Sequence, residues 1–246
     1  MKSRINEDFW LMKTPVAHRG LHEEGKPENS LPAFENAIKN GYPIEMDIQL
    51  TSDHIPVVFH DDYMERMTGE KKYIRDVSLE DVKKMRLGGT DEGIMTFEEF
   101  LNFVDGRVPL VIEYKTQRDK GIIADKTLPL LDKYNGEFVV QSFDPTIVRE
   151  LRLKRPGWIR GQLICKDRHK NVKWLTDRLL AHGFLNFLSK PDFINMNVKY
   201  LPLPRAMKKN RKVISWTIRT EEEKQKAEKY ADNYIFEHIR PDITKK

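Results

Sequence analysis

The chain has 246 residues, of which 39% are hydrophobic, so it is long enough to bury one substantial core. Its 43 Lys and Arg residues against 38 Asp and Glu residues give a net charge of +5, but basic and acidic side chains are interleaved along most of the chain. Such interleaving is typical of a solvated surface, whereas a nucleic-acid partner requires a concentrated basic stripe, and we expect no such partner.

The composition also limits the compartment. Cys165 is the only cysteine, which excludes an internal disulfide. The N-terminal residues are mostly polar and do not resemble a signal peptide, and no uncharged apolar run reaches the roughly 18 residues of a membrane span. We therefore expect a cytoplasmic protein without a transmembrane segment. Peripheral membrane contact and the oligomeric state stay open.

Short apolar runs at regular intervals predict eight β-strands. In chain order they occupy residues 14–18, 42–50, 108–115, 137–143, 159–165, 192–198, 212–218 and 232–237. Segments with helical character separate them, including SLPAFENAIKNG after the first, TIVRELRLKRPG after the fourth and EEEKQKAEKYAD after the seventh. In the first of these helices we expect Ser30 to cap the N-terminus, Leu31, Phe34 and Ile38 to share one face, and Gly41 to end the helix.

A ninth apolar run, IPVVFH at 55–60, follows the second strand almost directly, with SDH at 52–54 between the two. A parallel crossover needs about a dozen residues, so this pair must form an antiparallel hairpin. Eight parallel strands with one hairpin excursion after strand 2 predict an α/β fold of the (β/α)8 TIM-barrel class, in which catalytic groups lie at the C-terminal ends of the strands.

Charged residues occur within or directly after these apolar strands. Glu45 and Asp47 are two residues apart, as are Glu113 and Lys115, and this spacing puts each pair on one face of a strand. Buried carboxylates are unfavourable unless they are paired or bind a metal, and converging carboxylates suit Mg²⁺ or Ca²⁺. A buried ion pair of Glu113 with Lys115 is the alternative.

Two histidines close apolar runs close to these acidic groups. His18, followed by Arg19, ends the first run, and the hairpin returns His60 to the level at which the second strand ends. A single histidine is more often structural than catalytic, but a pair beside carboxylates suits a general acid and a general base near neutral pH.

The motifs AHRG, PENSLPAF, EMDIQLTSDHIPVVFHDD, IEYK, QSFDP and ISWTI occur in this order and at suitable distances. With them the chain resembles the glycerophosphodiester phosphodiesterases, of the PI-PLC-like phosphodiesterase superfamily, from about residue 14 to 238. The resemblance implies a single (β/α)8 domain over residues 1–246, with a small insertion before strand 3 at about 61–107. It also implies a divalent cation and hydrolysis of a small-molecule glycerophosphodiester to glycerol 3-phosphate and an alcohol.

The resemblance also implies roles for particular residues. His18 and His60 would be the catalytic acid–base pair, Glu45, Asp47 and Glu113 would bind the metal, and Arg19, Lys115 and Trp216 would bind the substrate. Trp216 is otherwise a core tryptophan, and Glu28 and Asn29 either brace the first loop or form the helix entry. Two residues depart from the family pattern, since Arg219 and Glu237 stand where Asn and Asp are expected. They either form an ion pair or influence which leaving group the enzyme accepts.

Two other functions stay open. A lysophospholipase D or phospholipase-like enzyme acting on membrane lipids would need an exposed apolar loop, for which HGFLNFLSKP at 182–191 is a modest candidate. An inactive binding protein is the second alternative, and the intact acidic and histidine residues argue against it.

Overall fold

The computed structural model of the chain describes residues 4–116, 120–165 and 186–243. They belong to two compact units: the N-terminal unit comprises residues 17–138, and the C-terminal unit comprises residues 1–16 and 139–246. The prediction that residues 1–246 form one domain stays a prediction, and each unit is described by itself.

The N-terminal unit combines strands with several short helices. Its elements in chain order are β1 (Val16–Ala17, shared with the other unit), α1 (Leu31–Lys39), β2 (Ile44–Leu50), β3 (Pro56–Val58), α2 (Glu65–Thr68), a 3₁₀ turn (Ile74–Asp76), α3 (Leu79–Val82), α4 (Phe97–Val104), β4 (Leu110–Tyr114) and α5 (Lys120–Leu131). The first three predicted strands are thereby confirmed, although β1 is only two residues long.

Strand β2 organises this unit because it pairs in parallel with β1 and β4. The register sets Ala17 opposite Ile44 and Asp47 opposite Glu113. All seven residues of β2 are buried, as expected for a strand covered on both faces. Parallel pairing brings the carboxyl ends of the three strands to one edge of the sheet.

The predicted hairpin is confirmed. Strand β3 runs antiparallel to β2, with Ile48 opposite Val58 and Leu50 opposite Pro56. At the turn, His54 adopts the left-handed conformation at φ 58°, and the Thr51 hydroxyl accepts a hydrogen bond from the Ile55 N–H at 3.0 Å. The hairpin therefore delivers residues 59–61 alongside the end of β2.

Helix α1 forms where the sequence predicts it, but its buried face differs. The Ser30 hydroxyl accepts from the Ala33 N–H as an N-cap, and the chain leaves the helix through Gly41 at φ 71°. Ala33, Phe34 and Ala37 are buried, whereas Leu31 is exposed. Of the predicted face, Phe34 is buried and Ile38 is half-buried, and small residues at 33 and 37 complete the buried face because they allow closer packing of the helix.

Residues 61–107, the predicted insertion, pack on the hairpin through apolar side chains. Helix α4 is held at its start by reciprocal hydrogen bonds between Thr96 and Glu99, a capping box. The buried cluster of this segment and β3 consists of Val57, Phe59, Met64, Ile74, Val77, Val82, Met85, Leu87 and Ile94. This packing fixes the segment that follows His60.

Five further parallel strands lie in the described part of the C-terminal unit. Its elements are a 3₁₀ turn (Trp10–Met12), β5 (Phe138–Ser142), α6 (Pro145–Lys154), β6 (Arg160–Ile164), α7 (Asn186–Ser189), β7 (Phe193–Asn197), a 3₁₀ turn (Val198–Tyr200), α8 (Arg205–Lys208), β8 (Lys212–Ile218), α9 (Glu221–Tyr230) and β9 (Asn233–Phe236). Each strand from β5 to β8 pairs in parallel with the strand that follows it.

Helices alternate with these strands as predicted. Asp144 caps the N-terminus of α6, and Thr220 caps that of α9. Three glutamates in the first turn of α9 interact favourably with the positive end of its helix dipole. Among the residues that the structure describes, no helix is both long and apolar enough to cross a membrane.

Candidate active site

Three carboxylates from neighbouring strands converge within the N-terminal unit. Glu45 and Asp47 project from the same face of β2, and the register with β4 sets Glu113 beside Asp47. One oxygen of each carboxylate lies within 4.8 Å of the others, and all three residues are buried. The predicted convergence of these residues is therefore present in the structure.

The two carboxylates of β2 have opposite pKa shifts. Burial raises the pKa of Glu45 well above its usual range, and the charges of Asp47 and Glu113 add to this. Burial alone would also raise the pKa of Asp47, but nearby positive charges, that of Lys115 first, hold it well below its usual range. A negative charge on Glu45 is thus unfavourable in this cluster, whereas the charge on Asp47 is stabilised by neighbouring cations.

The donor set of the cluster fits a divalent cation. The three carboxylates offer hard oxygen ligands of the kind that Mg²⁺ and Ca²⁺ prefer. Asn29 adjoins them, because its amide nitrogen donates to Asp47 Oδ2 at 3.0 Å. The amide oxygen of Asn29 is buried and has no hydrogen-bond partner among the residues that the structure describes. A buried carbonyl oxygen beside repelling carboxylates is an environment that a cation would stabilise.

Lys115 also contacts this cluster. Its ammonium lies 2.8 Å from Glu113 Oε1 and 3.5 Å from Asp47 Oδ1. The ion pair between Glu113 and Lys115, which the sequence offered as an alternative to metal binding, is therefore present within the cluster. Both partners raise the pKa of Lys115 although its burial opposes this, so the side chain stays a cation.

Arg19 is fixed beside the carboxylates through its backbone and its side chain. The residue adopts the left-handed conformation at φ 54°, and its N–H donates to Glu45 Oε2 at 3.1 Å. Its guanidinium donates to Glu28 Oε1 at 2.6 Å and lies 3.4 Å from Asp47 Oδ2. The guanidinium and the N–H of Arg19 therefore both contact the acidic cluster.

His18 lies directly before Arg19 and is buried. Its Nε2 lies 4.0 Å from Glu45 Oε2, at the limit of an ion pair. The structure therefore places His18 at the edge of the carboxylate cluster, as the sequence predicts.

His60 is held by the residue that follows it. Its Nδ1 lies 2.6 Å from Asp61 Oδ1, and a carboxylate can only accept, so Nδ1 carries the proton of this hydrogen bond. The carbonyls of Phe59 and Asp61 both accept from the amide of Gln49, on the same face of β2 as Glu45 and Asp47. Gln49 thereby fixes the backbone on both sides of His60.

Three residues with contacts at the site were not predicted from the sequence: Gln49, Asp61 and Arg66. Gln49 continues the alternation of Glu45 and Asp47 by one more step, which was an available signal. Asp61 is adjacent to His60 in FHDD, a second available signal. Arg66 contacts Asp61 and Glu28, and no local pattern indicates this because the partners lie on different segments.

The other predicted residues belong to the C-terminal unit. Trp216 lies on β8, donates to the Asn195 carbonyl at 3.4 Å and packs edge-on against Phe143. Arg219 and Glu237 form the predicted ion pair, with Nε 2.5 Å from Oε1. Substrate contact by Trp216 stays a prediction, as does any influence of the ion pair on the leaving group.

The apolar loop proposed at 182–191 is only partly described. Residues 182–185 lie outside the described residues. Helix α7 covers Asn186–Ser189, and Phe187 is 72% exposed. One exposed aromatic side chain is ordinary for a protein surface and does not define a lipid-binding loop.

Comparison with known proteins identifies relatives along most of the chain. Residues 18–236 match the model of the glycerophosphoryl diester phosphodiesterase family. The Bacillus subtilis protein YhdW is 29% identical, with 82% of this chain and 85% of that protein covered. Glycerophosphodiester phosphodiesterase 1 of Mus musculus is 28% identical, with 92% of this chain and 78% of that protein covered.

Solved structures show the fold. A phosphodiesterase of Oleispira antarctica, in complex with the product sn-glycerol-3-phosphate, superposes with a TM-score of 0.75 at 21% identity, covering 91% of this chain and 92% of its own. A glycerophosphodiester phosphodiesterase of Thermotoga maritima gives a TM-score of 0.68 at 25% identity, covering 90% and 92%. The predicted (β/α)8 fold class is thereby confirmed.

Proposed function

Since this chain belongs to the glycerophosphoryl diester phosphodiesterase family, whose members are phosphoric diester hydrolases, we propose that it hydrolyses glycerophosphodiesters to glycerol 3-phosphate and an alcohol. The observation that carries the proposal is the convergence of three buried carboxylates, Arg19, Lys115 and His18 within one unit, with His60 held nearby on the hairpin. The product named for the Oleispira antarctica relative is consistent with it.

We assign a divalent cation, Mg²⁺ or Ca²⁺, to Glu45, Asp47 and Glu113. When bound, such a cation supplies Lewis-acid stabilisation of negative charge on a phosphoryl group. The support is the donor set itself: three buried carboxylates that repel one another and the unsatisfied amide oxygen of Asn29. Arg19 and Lys115 lower the pKa of Asp47, whereas burial and the charges of Asp47 and Glu113 still raise the pKa of Glu45.

Arg19 and Lys115 bind the phosphate in this proposal. A guanidinium can grip two phosphate oxygens with its planar fork, and an ammonium adds a compact positive charge. Both side chains remain cationic, since the carboxylates around them raise the pKa of each despite burial. They offset the charge that develops on the phosphoryl oxygens during hydrolysis.

His18 and His60 form the acid–base pair. One imidazole removes the proton from the attacking hydroxyl, either that of water or the substrate's own 2-hydroxyl. Attack by the 2-hydroxyl gives a cyclic phosphodiester, which water then opens to glycerol 3-phosphate. The other imidazole gives a proton to the alkoxide oxygen as its bond to phosphorus breaks. For His60 the support is its hydrogen bond to Asp61, which keeps the proton on Nδ1 and leaves Nε2 to exchange a proton with the substrate.

Further parts of the proposal rest on the family alone. Trp216 forms an apolar wall for the glycerol moiety, and the reaction belongs to the cytoplasmic breakdown of glycerophospholipid head groups. No observation favours a phospholipase-like activity on membrane lipids over this function. The complete set of acidic and histidine residues speaks against an inactive binding protein.

A substrate panel tests the proposal. The purified protein is assayed with Mg²⁺ on glycerophosphocholine, glycerophosphoethanolamine and lysophosphatidylcholine. The released choline or ethanolamine is quantified for every substrate, together with glycerol 3-phosphate for the two glycerophosphodiesters. We expect hydrolysis of the glycerophosphodiesters, with turnover reduced about 10²-fold or more in His18→Ala and in His60→Ala at unchanged melting temperature. Preferential cleavage of the lysophospholipid, or full activity in the double histidine variant, would contradict the proposal.

A further inference from the structure

A series of ion pairs connects His60 to Arg19 through residues outside the acid–base pair and the carboxylate cluster. Its successive members are His60, Asp61, Arg66, Glu28 and Arg19. The separations are 2.6 Å from His60 to Asp61, 2.6 Å from Asp61 to Arg66, 2.7 Å from Arg66 to Glu28 and 2.6 Å from Glu28 to Arg19. Each contact joins opposite charges once His60 is protonated, and all five residues belong to the N-terminal unit.

Arg66 is the central member of this series of ion pairs. Its Nε donates to Asp61 Oδ2, while its two terminal nitrogens donate to the two oxygens of Glu28 at 2.9 and 2.7 Å. A planar guanidinium can make this double contact, whereas the single ammonium of a lysine cannot reproduce its geometry. Arg66 thereby joins the hairpin that carries His60 to the loop that carries Glu28.

The helix that carries Arg66 is anchored independently of these ion pairs. Met64, two residues earlier, is fully buried, and its N–H donates to the Lys72 carbonyl. Tyr63 and Tyr73 flank the segment as a backbone bridge and an edge-on aromatic pair. Replacement of the half-exposed Arg66 side chain should therefore leave the segment folded.

Loss of Arg66 would leave Asp61 and Glu28 as two carboxylates without their shared cation. Asp61 would then be free to rotate away from Nδ1 of His60, and the ring could exchange its proton to the other nitrogen. Glu28 would then pair with Arg19 alone. The stronger attraction between them would draw the Arg19 guanidinium away from Asp47, which lies 3.4 Å from it. His60 and Arg19, at the two ends of the series of ion pairs, would therefore lose their fixed geometry together.

We propose that Arg66 is a positioning residue, which holds the imidazole of His60 through Asp61 and the guanidinium of Arg19 through Glu28 in one geometry. The inference rests on the proposed function for the roles of His60 and Arg19. A positioning error of about 1 Å can reduce turnover about 10²-fold, so the contribution of Arg66 is measurable.

The test compares five variants with the wild type in Mg²⁺ on glycerophosphocholine: Arg66→Ala, Arg66→Lys, Asp61→Asn, the double variant Arg66→Ala/Asp61→Asn, and Arg75→Ala. Arg75 is the matched control because it lies in the same segment but contacts Asp76 and the ring of Tyr73. We expect Arg66→Ala to lower kcat about 10- to 100-fold and to raise KM, with Arg66→Lys in between and Arg75→Ala near the wild type. Melting temperatures should match those of the control.

The double variant measures the coupling. If Arg66 acts on His60 through Asp61, the loss of kcat in the double variant should be close to the larger single loss. Losses that multiply would mean that the two residues act independently and would overturn the inference. Activity of Arg66→Ala within twofold of Arg75→Ala would overturn it too.

A spectroscopic measurement separates this inference from the proposed function. In protein with ¹⁵N-labelled histidine, the ring nitrogens of His60 are assigned by loss of their signals in His60→Gln. We expect the wild type to hold the proton on Nδ1, and Arg66→Ala and Asp61→Asn to show a mixture of both tautomers. An unchanged tautomer in Arg66→Ala would overturn the inference even in an active enzyme. A shifted tautomer in a protein that hydrolyses no glycerophosphodiester would contradict only the proposed function.

Discussion

Glu45 illustrates at the scale of one residue how a functional group opposes folding. Its carboxylate is buried beside Asp47 and Glu113, and it accepts one hydrogen bond from the Arg19 N–H. Burial and the two neighbouring charges raise its pKa well above the usual 4.5. The folded state therefore binds a proton at Glu45 more tightly than the unfolded chain does, so ionising this residue destabilises the fold.

This shift predicts a pH dependence of stability for the metal-free protein. Because the folded pKa of Glu45 is raised, its contribution to stability is complete below about pH 4.5 and is lost as the pH rises through the folded pKa. Glu45→Gln should thus be more stable than the wild type at neutral pH, by roughly 1 kcal/mol or more, or about 2–4 °C in Tm. Thermal unfolding in excess chelator between about pH 5 and pH 9 checks this.

The opposite shift of Asp47 does not obscure that measurement. The pKa of Asp47 lies below its usual 3.8, so the stability it contributes is present above that pH and is lost only in stronger acid. Parallel stability curves for the wild type and Glu45→Gln across the neutral range would show that Glu45 does not carry the unfavourable charge.

At the scale of elements, the hairpin and the strand ends were predictable because they follow from chain length and alternation. The few residues between the two apolar runs leave no room for a crossover, which gives the antiparallel β3. The two-residue spacing within β2 and β4 puts their acidic residues on one face, and the parallel register sets them side by side. The buried face of α1 was not predictable from apolar spacing, since Ala33 and Ala37 are buried there instead of Leu31.

The turn after β1 allows a prediction about a single glycine. Gly20 adopts φ 81°, and a Cβ there would lie 2.9 Å from the Ala33 carbonyl carbon and 3.0 Å from Phe34. Gly20→Ala should destabilise the protein by the left-handed strain of about 1–2 kcal/mol and by a further 1–3 kcal/mol, roughly, from overpacking. Chemical denaturation measures the loss.

Gly25 provides the matched control for this substitution. It also has a positive φ, 74°, but a Cβ there would meet no atom within 4 Å. Gly25→Ala should therefore show the backbone strain alone. Equal losses for the two variants would mean that α1 moves away to accommodate the methyl group and does not restrain the turn that carries His18 and Arg19.

At the scale of the whole molecule, the sequence predicted most residues of the candidate site but not the hydrogen bonds and ion pairs that join its loops. The residues at strand ends were found because strands have a fixed period and parallel strands share a direction. The contacts of Arg66 with Glu28 join residues 38 positions apart on two loops, and loop paths are set by tertiary packing that no local period encodes. Likewise, nothing in the spacing of Asn29 indicated that its amide would donate to Asp47.

A divalent cation bound to the carboxylate cluster should stabilise the whole chain. If Glu45, Asp47 and Glu113 bind a divalent cation, metal binds the folded state alone and stabilises it by about 2.7 kcal/mol when its concentration is 100 times Kd. Excess chelator should abolish hydrolysis and lower Tm, and Mg²⁺ or Ca²⁺ should restore both. Glu113→Gln should lose the metal-dependent change in Tm, whereas Arg75→Ala, outside the cluster, should keep it. Full activity in chelator, with a Tm that metal does not alter, would leave these carboxylates as partners of Lys115 and Arg19 alone, the arrangement that their ion pairs already provide.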